Sequence, residues 1–162
     1  MTRAYVALGA NLGDPQTQVR AAMEALDALP DTHVIARSPL YLTPPWGVSA
    51  QPDFVNAVVA LETGLAPREL LAALQHLEAQ AGRVRDGLRN GPRRLDLDLL
   101  LHGDTRMADA DLQVPHPRMT ERAFVLLPLA DIAGNMELSG FGRVRDLLER
   151  VDVSGCRRLG AA

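Results

Sequence analysis

A chain of 162 residues, 47% of them apolar, can bury a sizeable core in one domain without disulfides or a structural metal. A formal net charge of −3 excludes the global basic field that holds nucleic acid, and no apolar run reaches the roughly 18 residues of a membrane span. All 17 basic residues are arginine, which excludes a P-loop lysine and every Schiff-base mechanism, and Cys156 stands alone, which excludes an internal disulfide or Cys-rich metal motif. The opening "MTRAYVALGANLGDP" has no long apolar stretch followed by a small-residue cleavage site, so a cytoplasmic protein is expected.

Residues 3–10, "RAYVALGA", alternate as a strand, with Tyr5, Ala7 and Gly9 on one face and Val6, Leu8 and Ala10 on the other. Asp14 followed by Pro15 opens a helix whose apolar positions Val19, Ala22, Met23, Leu26 and Leu29 keep helical spacing until Pro30. "HVIARSPLYLT" is extended, "PPWGVSAQP" is a proline-rich loop, and "DFVNAVVALET" is a second long strand. After Gly64 and Pro67, the stripe Leu70, Leu71, Leu74, Leu77 and Ala81 predicts an amphipathic helix to about residue 81. Residues 82–94, with five arginines and no apolar period, predict a loop; "LDLDLLLH" is a strand and "VPHPR" a turn. "MTERAFVLLPLADIA" is helical with an expected break at Pro128, and "RVRDLLERV" predicts a short helix in a weakly patterned tail from Gly134. No internal repeat or domain boundary is visible. The order strand, helix, strand, strand, helix, strand predicts an α+β, ferredoxin-like plan. Helices would pack on one face of a mostly antiparallel sheet, and the other face would be left for ligands.

On a strand, Asp96 and Asp98 project from one face while Leu95, Leu97 and Leu99 point to the other. Two carboxylates about 7 Å apart repel by roughly 2 kcal/mol at an effective dielectric near 20, so something positive should sit beside them. Two readings remain open: salt bridges to Arg93 or Arg94, and a magnesium ion shared with phosphate oxygens. Arg83, Arg85, Arg89, Arg93 and Arg94 on a glycine-hinged segment suit a lid over a metal-bound polyphosphate, and a solvated charge run is the bland counterpart. Phe54 and Asn56 share a strand face, opposite the core face of Val55, Ala57, Val59 and Leu61, and could hold a planar heterocycle. His116 lies between Pro115 and Pro117 with Arg118 and Arg122 following, either as turn scaffolding or as a fixed imidazole near phosphate. "GANLGDP" lacks the spacing of a phosphate-binding glycine loop and reads as a turn and helix cap.

Taken in order, "YVALGANLGDP", "YLTPPWG", "QPDFVNAVVALET", "GRVR", "GPRRLDLDLLLHG" and "VPHPRMTERAFVLLPLADIA" resemble the 6-hydroxymethyl-7,8-dihydropterin pyrophosphokinases of folate biosynthesis, over about residues 3–133. The resemblance implies a monomer that transfers the terminal pyrophosphoryl unit of MgATP to the pterin's hydroxymethyl oxygen and releases AMP, with no nucleic-acid or membrane partner. By the same resemblance Asp96 and Asp98 hold two Mg²⁺ ions, and Arg83 and Arg93 stabilise charge on the transferred group. It assigns Gln75, Glu78, Arg85, His116 and Arg122 to ATP, with Leu99, Leu112 and Gln113 near its base. It assigns Thr43, Pro44, Trp46, Phe54, Asn56 and Phe124 to the pterin, the two phenylalanines sandwiching the ring. Asn90 stands where many members have tryptophan, and Arg94 where threonine is common. The tail beyond residue 134 carries no motif and is expected to pack on the same domain, so 1–162 reads as one unit. A Mg²⁺-dependent phosphohydrolase and a ferredoxin-like nucleic-acid-binding module are the rival readings, the latter lacking an RNP-like pattern.

Overall fold

A computed structural model describes residues 1–45, 50–82 and 95–160. Its centre is the antiparallel pair β1 (Thr2–Ala10) and β4 (Phe54–Thr63), matched without a break from Thr2↔Thr63 to Ala10↔Val55. On the far side of β1 lies β5 (Asp96–His102), and on the far side of β4 lie β2 (Thr32–Arg37) and then β3 (Leu40–Thr43). Every pairing in this sheet is antiparallel. Pro39 has no N–H to give the ladder, and β2 and β3 are separated there. The Ser38 hydroxyl fills in by accepting from the Val58 amide at 2.9 Å, while the Ser38 amide bonds the Val58 carbonyl, also at 2.9 Å.

Helix α1 (Pro15–Asp27) starts as the sequence predicts. The Asp14 carboxylate accepts from the Thr17 amide and hydroxyl at 3.3 and 2.9 Å, and Pro15 occupies the first turn. Helix α2 (Pro67–Gln80) has half a capping box, since Glu69 reaches back to the Ala66 amide at 2.8 Å but the Ala66 methyl has no oxygen to return the bond. Both helices pack on the face bearing Val6, Leu8, Val55, Ala57, Leu97 and Leu99. Burying each leucine there is worth about 1.5–3 kcal/mol, which holds β5 against α2.

The second face is not bare. Helix α3 (Ala123–Ala133) and the short α4 (Val144–Leu148) cover its Tyr5, Ala7, Val58 and Ala60 end. Helix α3 is apolar almost all round, the pattern of an element buried on several sides, which is why it sits on the face expected to be open. It continues past Pro128, which is buried; the break falls instead at Arg122, between α3 and a 3-10 turn at Met119–Glu121. The helix tolerates the one amide that Pro128 lacks because its apolar residues pack against the sheet and α4.

Three further differences from the alternation pattern matter. Tyr5 and Val6 pair with Leu101 and Leu99, so Leu100 is an extra residue, a β-bulge. Strands β6 (Met107–Ala108) and β7 (Gln113–Val114) form a small hairpin in a stretch for which the sequence predicts no element, its last residue opening the "VPHPR" turn. The weakly patterned tail supplies the β8 (Glu137–Leu138) and β9 (Gly142–Arg143) pair, and then β10 (Arg157–Gly160), which adds to the sheet beside β3. Among the described residues, no helix is long and apolar enough to cross a membrane.

Candidate active site

The register of the sheet builds the site. Tyr41 pairs with Asn56, Asn56 with Gly9, and Gly9 with Asp96, so one row crosses four strands; one step along, Val58, Ala7 and Asp98 form the next. Strand alternation therefore puts Phe54, Asn56, Asp96 and Asp98 on one face, with Asp98 at the margin of the end that α3 covers from the Val58–Ala7 row onward. Phe54, Asp96 and Asp98 remain half-buried. Among the described residues no ion pair reaches Asp96, so the salt-bridge reading has no described partner for it. Arg93 and Arg94, the partners it named, lie outside the described residues, as do Arg83, Arg85, Arg89, Asn90 and Trp46.

Asn56 is held from two sides. The Thr43 hydroxyl donates to its Oδ1 at 2.6 Å, and its Nδ2 lies 3.4 Å from the Leu8 carbonyl. A carbonyl can only accept, so the nitrogen must face Leu8 and the oxygen Thr43, and the amide orientation is fixed. Gly9 makes this possible, because a Cβ there would lie 2.6 Å from Asn56 Nδ2. Sequence reasoning missed Gly9, whose requirement exists only once β1 and β4 are paired. Asn11 is similarly used: its Nδ2 donates to Gln51 Oε1 at 2.9 Å and the Pro52 carbonyl at 3.0 Å, tying the end of β1 to the segment that leads into Phe54.

Glu78, expected to face ATP, is buried under β5, and its Oε2 accepts from the Leu97 amide at 2.8 Å. β5 is the edge of the sheet, and Glu78 satisfies an outward-pointing amide of the strand that carries both aspartates. The side chains of Leu99 and Leu112 are buried in the core cluster shared with α1 and α2. Gln75 and Gln113 are exposed on α2 and β7. Arg68 at the start of α2 holds the β6–β7 hairpin through Asp111 at 2.8 Å and Asp109 at 2.5 Å.

His116 comes to the aspartates through the bulge. Its amide donates to the Leu100 carbonyl at 2.8 Å, and its Nδ1 accepts from the Arg118 amide at 3.2 Å. Burial, then the Arg122 and Arg118 charges, hold its pKa below the ordinary value, with Asp96 pulling the other way. The ring is thus neutral near pH 7 but faces both cations and a carboxylate. Arg122 stacks 5.4 Å from the centre of the half-buried Phe124 ring, and its Nε is buried with no hydrogen-bond partner among the described residues. An orphaned guanidinium N–H beside this cluster suits an anionic ligand.

The described residues contain no group of three His, Cys, Asp or Glu side chains able to cage a metal. Two carboxylates on one face nevertheless fit Mg²⁺, which is bound by one or two carboxylates and completes its shell with water and substrate phosphates.

Comparison with known proteins agrees with this chemistry. Residues 5–134 match the model of the family described as 7,8-dihydro-6-hydroxymethylpterin-pyrophosphokinase (HPPK). A Pseudomonas aeruginosa protein named 2-amino-4-hydroxy-6-hydroxymethyldihydropteridine pyrophosphokinase is 50% identical over 160 residues, covering 99% of this chain and 98% of its own. One of the same name from Methylorubrum extorquens is 45% identical, over 98% of this chain and 99% of its own. The Plasmodium falciparum HPPK-DHPS structure superposes with a TM-score of 0.74 at 14% identity, over 98% of this chain and 47% of that one, a likeness of fold. Neither the phosphohydrolase nor the nucleic-acid-module reading gains support. The chain belongs to the 7,8-dihydro-6-hydroxymethylpterin-pyrophosphokinase family.

Proposed function

We infer that the sheet face bearing Phe54, Asn56, Asp96 and Asp98 is where this chain carries out the pyrophosphoryl transfer of its family. ATP gives its terminal pyrophosphoryl group to the hydroxymethyl group of 6-hydroxymethyl-7,8-dihydropterin, a step of folate biosynthesis, and AMP leaves. The observation that carries the site assignment is the row Asn56, Gly9, Asp96. Asn56 and Asp96 are two strand spacings apart, about 10 Å between backbones. That span suits a bicyclic ring whose polar edge meets the amide and whose exocyclic hydroxyl meets the carboxylates.

The pterin lies between Phe54 and Phe124, with Asn56 offering it a donor and an acceptor, and Thr43, Pro44 and Trp46 closing the pocket. The oriented amide discriminates among flat rings, because a ring without matching polar groups would leave it unpaired. The hydroxyl oxygen attacks the β-phosphorus, an O–P bond forms, the bond from that phosphorus to the oxygen it shares with the α-phosphate breaks so that AMP leaves with that oxygen, and the hydroxyl proton passes to water. Asp96 and Asp98 would hold magnesium, two ions in this reading, and the metal would supply charge neutralisation for the phosphates. Arg122, His116, Arg85 and the α2 residues Gln75 and Glu78 bind or frame the nucleotide, while Leu99, Leu112 and Gln113 border its base. Arg83 and Arg93 meet charge on the transferred group. No covalent nucleophile is needed, since alignment and charge neutralisation are what the step requires. The enzyme acts as a cytoplasmic monomer in this reading.

The test is a product assay with ATP, Mg²⁺ and the hydroxymethyl pterin that resolves AMP from ADP and orthophosphate. AMP and pterin diphosphate in equal amounts are expected; orthophosphate in their place would overturn the reaction. Asp98→Ala should abolish transfer with an unchanged circular dichroism spectrum, and normal turnover by that variant would remove the site assignment. Arg93→Ala should lower kcat by about 10³-fold with little change in ATP affinity, as for a group acting in the transition state. Lost ATP binding at unchanged kcat would make it a ground-state contact.

A further inference from the structure

The tail reaches back to the ring pocket at two points. β10 pairs with β3 in the register Arg158↔Tyr41 and Arg157↔Leu42. From this position the Arg158 guanidinium donates to Asp131 Oδ1 at 2.7 Å, approaches the Tyr41 hydroxyl at 3.3 and 3.4 Å, and lies 5.8 Å from the centre of its ring. The Tyr41 hydroxyl in turn donates to Asp131 Oδ2. Strand β3, helix α3 and the tail thus meet at one carboxylate. The second point is Gly155, at a φ of +81°, where an added Cβ would lie 2.8 Å from Pro44 Cγ.

Each partner is wired to a wall of the pocket. Tyr41 is opposite Asn56 in the ladder and two residues before Thr43, whose hydroxyl orients that amide. Asp131 is seven residues after Phe124 on α3, two turns along and on the same side of the helix. The network therefore ties the strand that sets Asn56 to the helix that presents Phe124, and so sets the gap between sheet and helix into which a flat ring must fit. Strand β3 needs such an anchor, being four residues long between Pro39 and Pro44.

We propose that Tyr41, Asp131 and Arg158, with Gly155 seated on Pro44, are positioning residues that fix the aperture of the pterin pocket. This is the work of the tail: it touches the pocket's supports, away from the aspartates and the nucleotide residues. The proposal rests on the assignment of Thr43, Asn56 and Phe124 to the pterin made above.

The experiment measures equilibrium affinities for the hydroxymethyl pterin and for ATP separately, with thermal midpoints, in Tyr41→Phe, Asp131→Ala, Arg158→Ala and Asn56→Ala. The three network variants should weaken pterin binding by about 3- to 10-fold, the loss of one hydrogen bond's worth of fit, while leaving ATP affinity within about twofold. Because they act through one carboxylate, Tyr41→Phe combined with Asp131→Ala should cost no more than Asp131→Ala alone. Tyr41→Phe keeps the ring and carries the test by itself if Asp131→Ala fails to fold. Pterin and ATP affinities falling together with the thermal midpoint, or pterin affinity unchanged in Tyr41→Phe, would overturn the positioning role. Pterin affinity unchanged in Asn56→Ala would overturn the pocket assignment and the proposal with it.

Discussion

Gly9→Ala is the sharpest test of how the pocket is built. Gly9 has an ordinary strand conformation, so alanine is allowed by its backbone, and restricting the unfolded chain should contribute about 0.4–1 kcal/mol of stability. Against that, the new Cβ would stand 2.6 Å from Asn56 Nδ2, with Asn56 Cγ at 3.8 Å and Phe54 Cδ1 at 3.9 Å. Relieving the clash moves the amide by on the order of 1 Å, since non-bonded heavy atoms settle near 3.5–4.0 Å. Its 2.6 Å bond from Thr43 then stretches beyond hydrogen-bond range. Both groups are buried, Thr43 at 1% and Asn56 at 8% exposure, so breaking their bond costs about 1–3 kcal/mol. The net effect is a loss of about 1–2 kcal/mol, or roughly 2–8 °C in thermal midpoint for a chain of this size.

Pterin affinity should fall by at least about 10-fold, since the ring would meet a misdirected amide, while ATP affinity stays within about twofold. Urea denaturation and separate titrations of the two substrates measure these quantities. Thr43→Val, which removes the same bond without adding bulk at Gly9, should reproduce the affinity loss, and the double variant should be less than additive. A Gly9→Ala protein with unchanged midpoint and unchanged pterin affinity would refute the argument that close approach at Gly9 sets Asn56.

Perturbations at three other residues follow from the same geometry. Glu78→Ala leaves the Leu97 amide unpaired at the sheet edge and should cost about 1–3 kcal/mol in urea denaturation, with faster amide exchange at Leu97; Glu78→Gln, which still offers an oxygen, should cost less. His116 is depressed below 6.5 in the folded chain, so its contribution to stability is full above that pH and is lost as pH falls through the folded value. Thermal midpoints of His116→Asn should therefore decline less steeply on the acid side of pH 6.5 than those of the parent, and an equal slope would contradict the shift. Asp96→Asn removes a charge that raises the imidazole's pKa and should lower that pKa further in an NMR titration.

Much of the site was legible because strand alternation is a local signal. The shared face of Asp96 with Asp98 and of Phe54 with Asn56 needed only a period of two, and the Asp14 cap and Pro67 start needed only neighbouring residues. What escaped reading is long-range. "RRLG" has one apolar residue to mark it as a strand, and Tyr41, Asp131 and Arg158 come together across separations of 90 and 27 residues. Gly9 looks like any strand glycine until Asn56 lies across it. The second helical layer did leave a trace: "AFVLLPLADIA" has no polar stripe, which is unsuited to a helix with one buried side. Its proline drew attention to the wrong feature, a break, when burial of the whole segment outweighed one missing amide bond.

The three consecutive leucines after Asp98 show how closely fold and site are joined. In a regular strand Leu100 and His102 would follow the aspartates' face, and Leu101 would turn toward α2. The bulge at Leu100 resets that alternation, so Leu100 and Leu101 both enter the cluster under α3 and α4. His102 swings to the other side, where its Nε2 meets the Leu65 carbonyl at 2.8 Å; an acceptor there requires the ring proton on that nitrogen. Bulging also turns the Leu100 carbonyl out of the ladder, and that carbonyl holds the His116 amide and with it the turn bearing Arg118. One inserted residue thus buries two leucines, keeps a histidine out of an apolar layer, and suspends an imidazole beside Asp96. A strand that alternated faithfully to its end would keep both carboxylates but leave that turn without its anchor.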